Sequence, residues 1–445
     1  MGLQERARDL GIEMEPRHPQ RVVVTGYAVL TGLGDADGTW QGLLDGHSSV
    51  ISTDSQNDRT RIGAPLVNFD RTQHFNPGVL KRLSEASALS TYLGRQAAIS
   101  AGFQLKDNQL VGIDRSRASA CVGTGIGSAA YMIDVYEALH KPDQAGGVDS
   151  LRNSKRVNPF AALYIQMEQI NAAMASDLGL AGWPISSVEA CATGLSNPVE
   201  AHGLILRGAA DVAFTGGVEE PLRSHPDVAT AIYAAMRALF KRNEDPSGAS
   251  RPYDRDRDGF VLASGGGVLV FESLEHALRR NAHIYAEVVG GAKSMDAKDP
   301  TLLDSVNVGR TIVEAMYNPF DNTWPDFPGV IFAHATSTKA GDAGEADAFR
   351  YAFKDALPDI PIAAIKSNLG HLLGGAGAVN LAMAIQALQY GAIPPIRNLD
   401  NRDPAFADLN LVTGSPFYKD LQSALVVAFG FGGHNAAMLI KKFAE

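Results

Sequence analysis

Short runs of apolar, often β-branched residues recur along this chain, and most of them stop at glycine. Val22-Val23-Val24-Thr25-Gly26, Ala118-Ser119-Ala120-Cys121-Val122-Gly123, residues 211–218 and residues 265–271 all have this form. Their apolar character is continuous, not alternating, as expected of strands covered on both faces. Helical spacing fills the intervals, over residues 39–44, 80–101 and 161–178, with an irregular stretch at about 141–159. From Ile284 the plan restarts: strands at 285–289 and 329–333, one ending at Lys366, then 424–428 and 436–440. Helices are expected between them at 306–316 and 374–388. Strands alternating with helices define an α/β class, and the restart suggests two duplicated halves packed as one body.

At 445 residues the chain is long enough for two or three domains or one large duplicated unit. Its 45 glycines suit an α/β fold with tight turns and close helix packing. A net charge of −10 argues against nucleic acid as the main ligand. The two cysteines, Cys121 and Cys191, cannot build a disulfide framework, and no Cys/His spacing resembles a zinc site. Residues 1–20 are charged, without the apolar core of a secretory signal, and no apolar run is long enough to span a membrane. A cytoplasmic protein in a reduced compartment is expected.

The stretch Ser186-Ser187-Val188-Glu189-Ala190-Cys191-Ala192-Thr193-Gly194 places a cysteine where an apolar run at Pro184-Ile185 gives way to a helical pattern. Unpaired N–H groups and the positive end of the helix dipole gather at such a point and favour a thiolate. On this stretch alone, Cys191 is equally a nucleophile or a small buried hydrophobe. Cys121, inside a strand, reads as core. Gly123-x-Gly125-x-Gly127 is not the spacing of a dinucleotide fingerprint.

Three further segments put polar residues at strand ends: His334-Ala335-Thr336-Ser337-Thr338 with Asp342 and Glu345, Lys366-Ser367-Asn368-Leu369-Gly370-His371, and Phe429-Gly430-Phe431-Gly432-Gly433-His434-Asn435. Alone, each histidine is more often structural than catalytic. Together with a cysteine at a helix start they form a nucleophile and two N–H donors suited to a developing enolate oxygen.

These segments, with Arg251-Pro252-Tyr253-Asp254 and Asp258-Gly259-Phe260-Val261, resemble the β-ketoacyl-acyl-carrier-protein synthases of the elongating, type II kind, within the thiolase superfamily. The resemblance runs in order from Arg21 to Gly433 and implies a thiolase-like, five-layered αβαβα fold built from two halves, residues 21–275 and 276–445, after an extension over 1–20. It implies decarboxylating condensation of an acyl-Cys191 thioester with malonyl-acyl-carrier protein, by a homodimer that needs no metal or cofactor because its substrates ride on the carrier's phosphopantetheine. His334 and His371 would hold the malonyl carbonyl, and Lys366 would support them through Glu345, with Asp342 nearby. The backbone N–H groups of Cys191 and Phe431 would form an oxyanion hole, and Phe431, between glycines, would gate malonyl entry. Thr336 and Thr338 would bind the phosphopantetheine arm, and Ile126 would line the acyl pocket.

Docking of an acidic carrier protein calls for a local basic patch, and Lys81, Arg82, Lys241 and Arg242 fall in the segments that the resemblance places near the tunnel mouth; ordinary solvated surface is the competing reading. The chain departs from the family's pattern at Phe332 and Val427, where asparagine is usual, and at Ser264, where an acidic residue is usual. These departures leave open a non-catalytic partner subunit that keeps the fold.

Overall fold

The computed structural model describes residues 19–53, 60–127, 131–142 and 148–444. The expected extension over 1–20 therefore lies outside the described residues, except for its last two. Ten strands form one mixed sheet system: β1 Val22–Leu30, β2 Ala118–Gly123, β3 Val212–Glu219, β4 Gly265–Ser273, β5 Ala286–Met295, β6 Ile331–Phe332, β7 Pro361–Ala363, β8 Asn410–Leu411, β9 Ser423–Gly430 and β10 His434–Lys441. Six helices matter most for the site: α1 Glu85–Ser100, α2 Gln169–Leu178, α3 Thr193–Leu206, α4 Ser305–Ala315, α5 Lys339–Phe353 and α6 Ala376–Tyr390.

The duplication is written in the pairing. In the first half β1 runs antiparallel to β4, β4 antiparallel to β3, and β3 parallel to β2. In the second, β5 runs antiparallel to β10, β10 antiparallel to β9, and β9 parallel to β6. The half-sheets join where Val22–Val24 pair with Ala286–Val288.

Successive strand residues face opposite layers. In β4, Leu269 and Phe271 pack toward α3 and α6, whereas Val268 and Val270 pack toward α1 and α2. In β9, Val426 and Ala428 face the same central helices, and Leu425 and Val427 face α4 and α5. Two half-sheets around a shared helical layer, each covered by outer helices, make the expected five-layered αβαβα arrangement. Burial on both faces explains why these strands read as unbroken apolar runs.

Several boundaries differ from the sequence reading. The helix expected over 80–101 is two helices, Pro77–Leu80 and α1, because Ser84 caps α1 by accepting the Ser87 N–H at 3.1 Å. The helix expected over 161–178 is likewise divided, into Ala161–Ile165 and α2, with Gln166 extended. Residues 131–140, not expected to be helical, form a helix. The strand expected to end at Val289 continues to Met295 through Gly290 and Gly291. Gly290 is there for close packing: a Cβ would stand 2.2 Å from the Tyr317 carbonyl oxygen. The strand expected to reach Lys366 stops at Ala363, and Lys366 opens a short helix. No strand precedes Cys191. Gly182 and Ile185 donate to the Ala118 and Ala120 carbonyls at 2.9 and 3.0 Å, so residues 182–185 run beside β2 where β7 runs beside β6, without strand geometry.

Candidate active site

Cys191 occupies the 3-10 turn Ala190–Ala192, which leads directly into α3. Ala190 is held at φ 47°, a region non-glycine residues seldom adopt, at the point where the chain turns sharply into the helix. The small residues after the cysteine have a spatial purpose. A Cβ on Gly194 would stand 2.5 Å from the Gly374 carbonyl oxygen, so only glycine lets the start of α3 meet the turn before α6. That turn, Leu373–Gly375, follows His371.

His371 donates its backbone N–H to Val261 at 2.7 Å, and its ring Nδ1 accepts the Leu373 N–H at 3.3 Å. In a neutral ring this leaves the hydrogen on Nε2. His334 follows β6, and its ring lies edge-on to that of His371 with centroids 5.3 Å apart. Glu345, on α5, accepts the N–H groups of His334 and Ala335 at 2.7 and 2.8 Å. The Lys366 ammonium donates to the His334 carbonyl. Lys366 thus holds the His334 backbone directly as well as interacting with the Glu345 charge; the two residues grip opposite sides of the same peptide segment.

Cys191, His334, His371, Phe431, Thr336 and Thr338 line one cavity of about 520 Å³. The two threonine hydroxyls stand 3.0 Å apart, and Thr338 also caps α5 by accepting the Gly341 N–H. Asp342 is buried beneath them, accepting the N–H groups of Tyr253 at 2.9 Å and Ser337 at 3.0 Å. Phe431 is followed by Gly432 and Gly433, both at positive φ, with the Gly432 N–H donating to the Pro300 carbonyl at 2.8 Å and the Gly433 carbonyl accepting the Asp296 N–H at 2.9 Å.

Burial dominates the electrostatics. Both histidines are held well below their ordinary value, first by burial and then by the Lys366 charge, so both rings are neutral donors. Burial also lowers Lys366, opposed by the carboxylate charge of Glu345, and raises Asp342 to about 6. Cys191 corrects an expectation. The N–H groups of Phe431 and of Cys191 itself hydrogen-bond its sulfur, and Lys366 favours a thiolate, yet burial outweighs them and pushes the thiol up to about 12. At neutral pH the resting group is a thiol.

Ile126 lines a second cavity of about 400 Å³, while packing in the same apolar cluster as Cys191, Leu373 and Phe431. It stands in the partition between the two cavities. The four basic residues contact different segments. Lys241 lines the Cys191 cavity and pairs with Asp258 at 3.2 Å, and Arg242 beside it donates to the Asp256 carbonyl at 2.6 Å. Lys81 and Arg82 adjoin another segment: Asn158 donates to the Lys81 carbonyl, and Arg82 stacks over Phe160 at 5.1 Å. Phe332 and Val427 are both sealed in the core, so these departures add apolar packing.

Sequence reasoning missed Glu219. Its buried carboxylate accepts the N–H of Gly125 at 2.7 Å, Gly127 at 3.1 Å and Gly374 at 3.0 Å, and the Thr124 hydroxyl at 2.6 Å. It ties the turn carrying Ile126 to the turn following His371. The only local signal is an acidic residue closing the apolar run of β3. Tyr253, whose hydroxyl donates to Glu345 at 3.0 Å, and Asn380, which donates to the Ala333 carbonyl at 3.0 Å, were also missed as supports.

A buried cysteine at the head of a central helix, two neutral histidines at the ends of second-half elements and an αβαβα frame define a thiolase-like condensing enzyme. Comparison with known proteins narrows this class. Residues 19–277 match the N-terminal domain of β-ketoacyl synthase and residues 285–400 its C-terminal domain. The chain belongs to the β-ketoacyl synthase family. It is 34% identical to a 3-oxoacyl-acyl-carrier-protein synthase 2 of Vibrio harveyi, over 96% of this chain and 99% of that protein. It is 33% identical to the enzyme of the same name from Synechocystis, over 95% and 98%. A crystal structure of a β-ketoacyl synthase from Burkholderia phymatum superposes with a TM-score of 0.84 at 26% identity, over 96% of this chain and all of that one. A chain from a type II PKS acyl-carrier protein in complex with its ketosynthase bound to the hexaketide gives 0.83 at 25%, again over 96% and all of it. Among the described residues, no helix is long and apolar enough to cross a membrane, and no group of three or more His, Cys, Asp or Glu is disposed to hold a metal.

Proposed function

We propose that the protein condenses an acyl group held on Cys191 with malonyl-acyl-carrier protein, losing carbon dioxide and releasing a 3-oxoacyl-carrier protein in fatty acid or polyketide chain elongation. The Cys191 sulfur attacks the acyl thioester, its proton passes to the departing phosphopantetheine thiolate, and the acyl chain is now on the enzyme. The malonyl thioester then lies with its carbonyl oxygen toward the His371 Nε2–H and the His334 ring. As the carboxylate–carbon bond breaks, its electron pair becomes an enolate whose oxygen these donors stabilise. The enolate carbon attacks the acyl-Cys191 carbonyl, and the new oxyanion rests on the N–H groups of Cys191 and Phe431. Its collapse expels the Cys191 thiolate, which takes up a proton.

The observation that carries this reading is the placement of Cys191, His334 and His371 around one cavity, with the Phe431 and Cys191 N–H groups on the cysteine sulfur. The named activities of the relatives support it. No cofactor enters the scheme, since the carrier protein supplies the phosphopantetheine arm. A homodimeric assembly and a cytoplasmic setting belong to the same proposal; sedimentation tests the first. Incubation with acyl- and malonyl-carrier protein tests the chemistry: mass spectrometry should show acyl-Cys191 and then 3-oxoacyl product. Absence of both would leave a carrier-binding protein without condensing activity.

A further inference from the structure

Two residues before the cysteine, Glu189 frames the turn on which Cys191 sits. Its N–H donates to the Thr193 hydroxyl at 2.8 Å, and its carbonyl accepts the Ala192 N–H at 3.0 Å. Its carboxylate is held on both oxygens. Oε2 accepts the Ser196 hydroxyl at 2.6 Å, and Oε1 accepts the Lys293 ammonium at 2.8 Å. Lys293 also pairs with Glu200 at 2.6 Å. Glu200 lies on α3, so one cation joins the residue before the turn to the helix after it.

Lys293 comes from the other half of the chain. It lies on β5, opposite Ala436 of β10. β10 is the second arm of the hairpin whose turn, between Gly430 and His434, carries Phe431. Gly291 shares a face of β5 with Lys293, and a Cβ there would stand 3.0 Å from the Val199 side chain of α3. The hairpin turn and the cysteine turn also meet closely. A Cβ on Gly430 would stand 2.6 Å from the Glu189 carbonyl oxygen and 3.2 Å from the Cys191 nitrogen.

The two N–H groups assigned to the oxyanion therefore ride on different bodies, Cys191 on the head of α3 and Phe431 on the β9–β10 hairpin. Their spacing depends on how α3 sits against β5 and the strand beside it. Contacts between small apolar residues resist separation but carry little directional preference, whereas a cation shared by two carboxylates fixes a position. The Lys293 side chain is 23% exposed and that of Glu189 18%, so solvent screens the pair less than a surface ion pair.

We propose that Lys293 is a positioning residue: by tying Glu189 and Glu200 to β5, it sets the spacing of the Cys191 and Phe431 N–H groups that receive the oxyanion. The inference rests on the proposed condensation and adds to it a residue outside the lining of the Cys191 cavity.

The test compares two reactions of the same sulfur. Acyl transfer to Cys191 passes through an oxyanion, and alkylation by iodoacetamide does not. Lys293→Met should lower kcat for acylation by acyl-carrier protein about tenfold, part of the loss that follows deletion of an oxyanion donor. KM and the alkylation rate should be unchanged, and malonyl decarboxylation, which relies on His334 and His371, should be retained. Lys293→Arg, whose fork can serve two carboxylates, should restore most of the acylation rate. Glu189→Gln, which still accepts from Ser196, should show the same split as Lys293→Met. Acylation at the wild-type kcat in Lys293→Met overturns the inference. An equal fall in acylation, alkylation and decarboxylation assigns Lys293 to general stability and overturns it too. Should Lys293→Met fail to fold, the comparison in Glu189→Gln decides. A wild-type protein that never forms acyl-Cys191 sinks the condensation itself, an outcome distinct from acylation indifferent to Lys293.

Discussion

The Lys366 ammonium donates to the backbone carbonyl of His334 while the Glu345 carboxylate holds the N–H of the same residue at 2.7 Å. One buried cation and one buried anion thus fix His334 from both sides of its backbone, and each offsets the other's burial cost. Lys366→Met would leave a carbonyl without its donor and Glu345 without a countercharge. The expected stability loss is about 3 kcal/mol, read from urea unfolding. Malonyl decarboxylation should fall about 100-fold as His334 drifts from its position. A variant with wild-type decarboxylation would remove Lys366 from the positioning of His334.

Cys191→Gln separates the two half-reactions. The nucleophile is gone, but the histidine donors and the oxyanion N–H groups remain, and the amide is close in size to an acylated cysteine. Condensation should vanish while malonyl-carrier protein is still decarboxylated, measured as carbon dioxide release. Loss of both activities would contradict the assignment of decarboxylation to His334 and His371.

The pH dependence of that decarboxylation follows from burial. Both histidines lie well below the ordinary value of 6.5, so each remains neutral as the pH falls through the range where an exposed imidazole would protonate. Histidine protonation should therefore not set the acid limb, and a fall there reports Glu345, raised to about 7, and Asp342, raised to about 6, both by burial. On the alkaline side, Lys366 is lowered from 10.5, so it loses its charge earlier than an exposed lysine, and the rate should fall before that value is reached. A rate halved at pH 6.5, and restored when the histidine environment is made more apolar, would show the rings titrating normally.

Cys191 alkylation offers a direct check on its protonation state. Because burial raises the thiol to about 12, the thiolate fraction at neutral pH is small and grows about tenfold per pH unit. Iodoacetamide labelling should climb steadily from pH 7 to 10 without a plateau. Cys121 is also raised to about 12 and is fully buried in β2, so it should stay unlabelled in the native protein at every pH. A labelling plateau below pH 8 would mean that the helix terminus, and not burial, governs the sulfur.

Ile126 stands in the wall between the two cavities. Ile126→Trp should close the way to the second cavity and lower kcat/KM for long acyl donors about tenfold or more relative to short ones, on the scale of one or two mis-sized groups in an apolar pocket. Product profiling by mass spectrometry checks this. An unchanged chain-length profile would place the acyl chain elsewhere.

Strand and helix order was legible in the sequence wherever one element had one continuous environment. The runs at 22–26 and 265–271 are apolar throughout because both faces of their strands are covered. Boundaries were misread where a tertiary contact, not local pattern, sets them, as at Gly290, which keeps its strand going by making room for the Tyr317 carbonyl. The candidate site residues could be put forward because their segments, in order, carry the family resemblance; one cysteine of two and two histidines of 11 would not have stood out alone. For the basic residues no local signal ties Lys81 to Lys241, since charged side chains occur on every exposed surface.

By itself, then, the sequence determined the α/β plan and its repetition, and its resemblance put forward Cys191, His334, Lys366 and His371 as the candidate site. Residue types and their periodicity are local properties, and so they survive in one dimension. Only the tertiary structure decided that Cys191 rests as a thiol, that Lys366 and Glu345 hold His334 from opposite sides of its backbone, and that Glu219 links the Ile126 turn to the turn after His371. Each of these depends on desolvation or on donors supplied from far along the chain. The cost of burying a charge is set by everything packed around it, and that surrounding exists only once the five layers have closed.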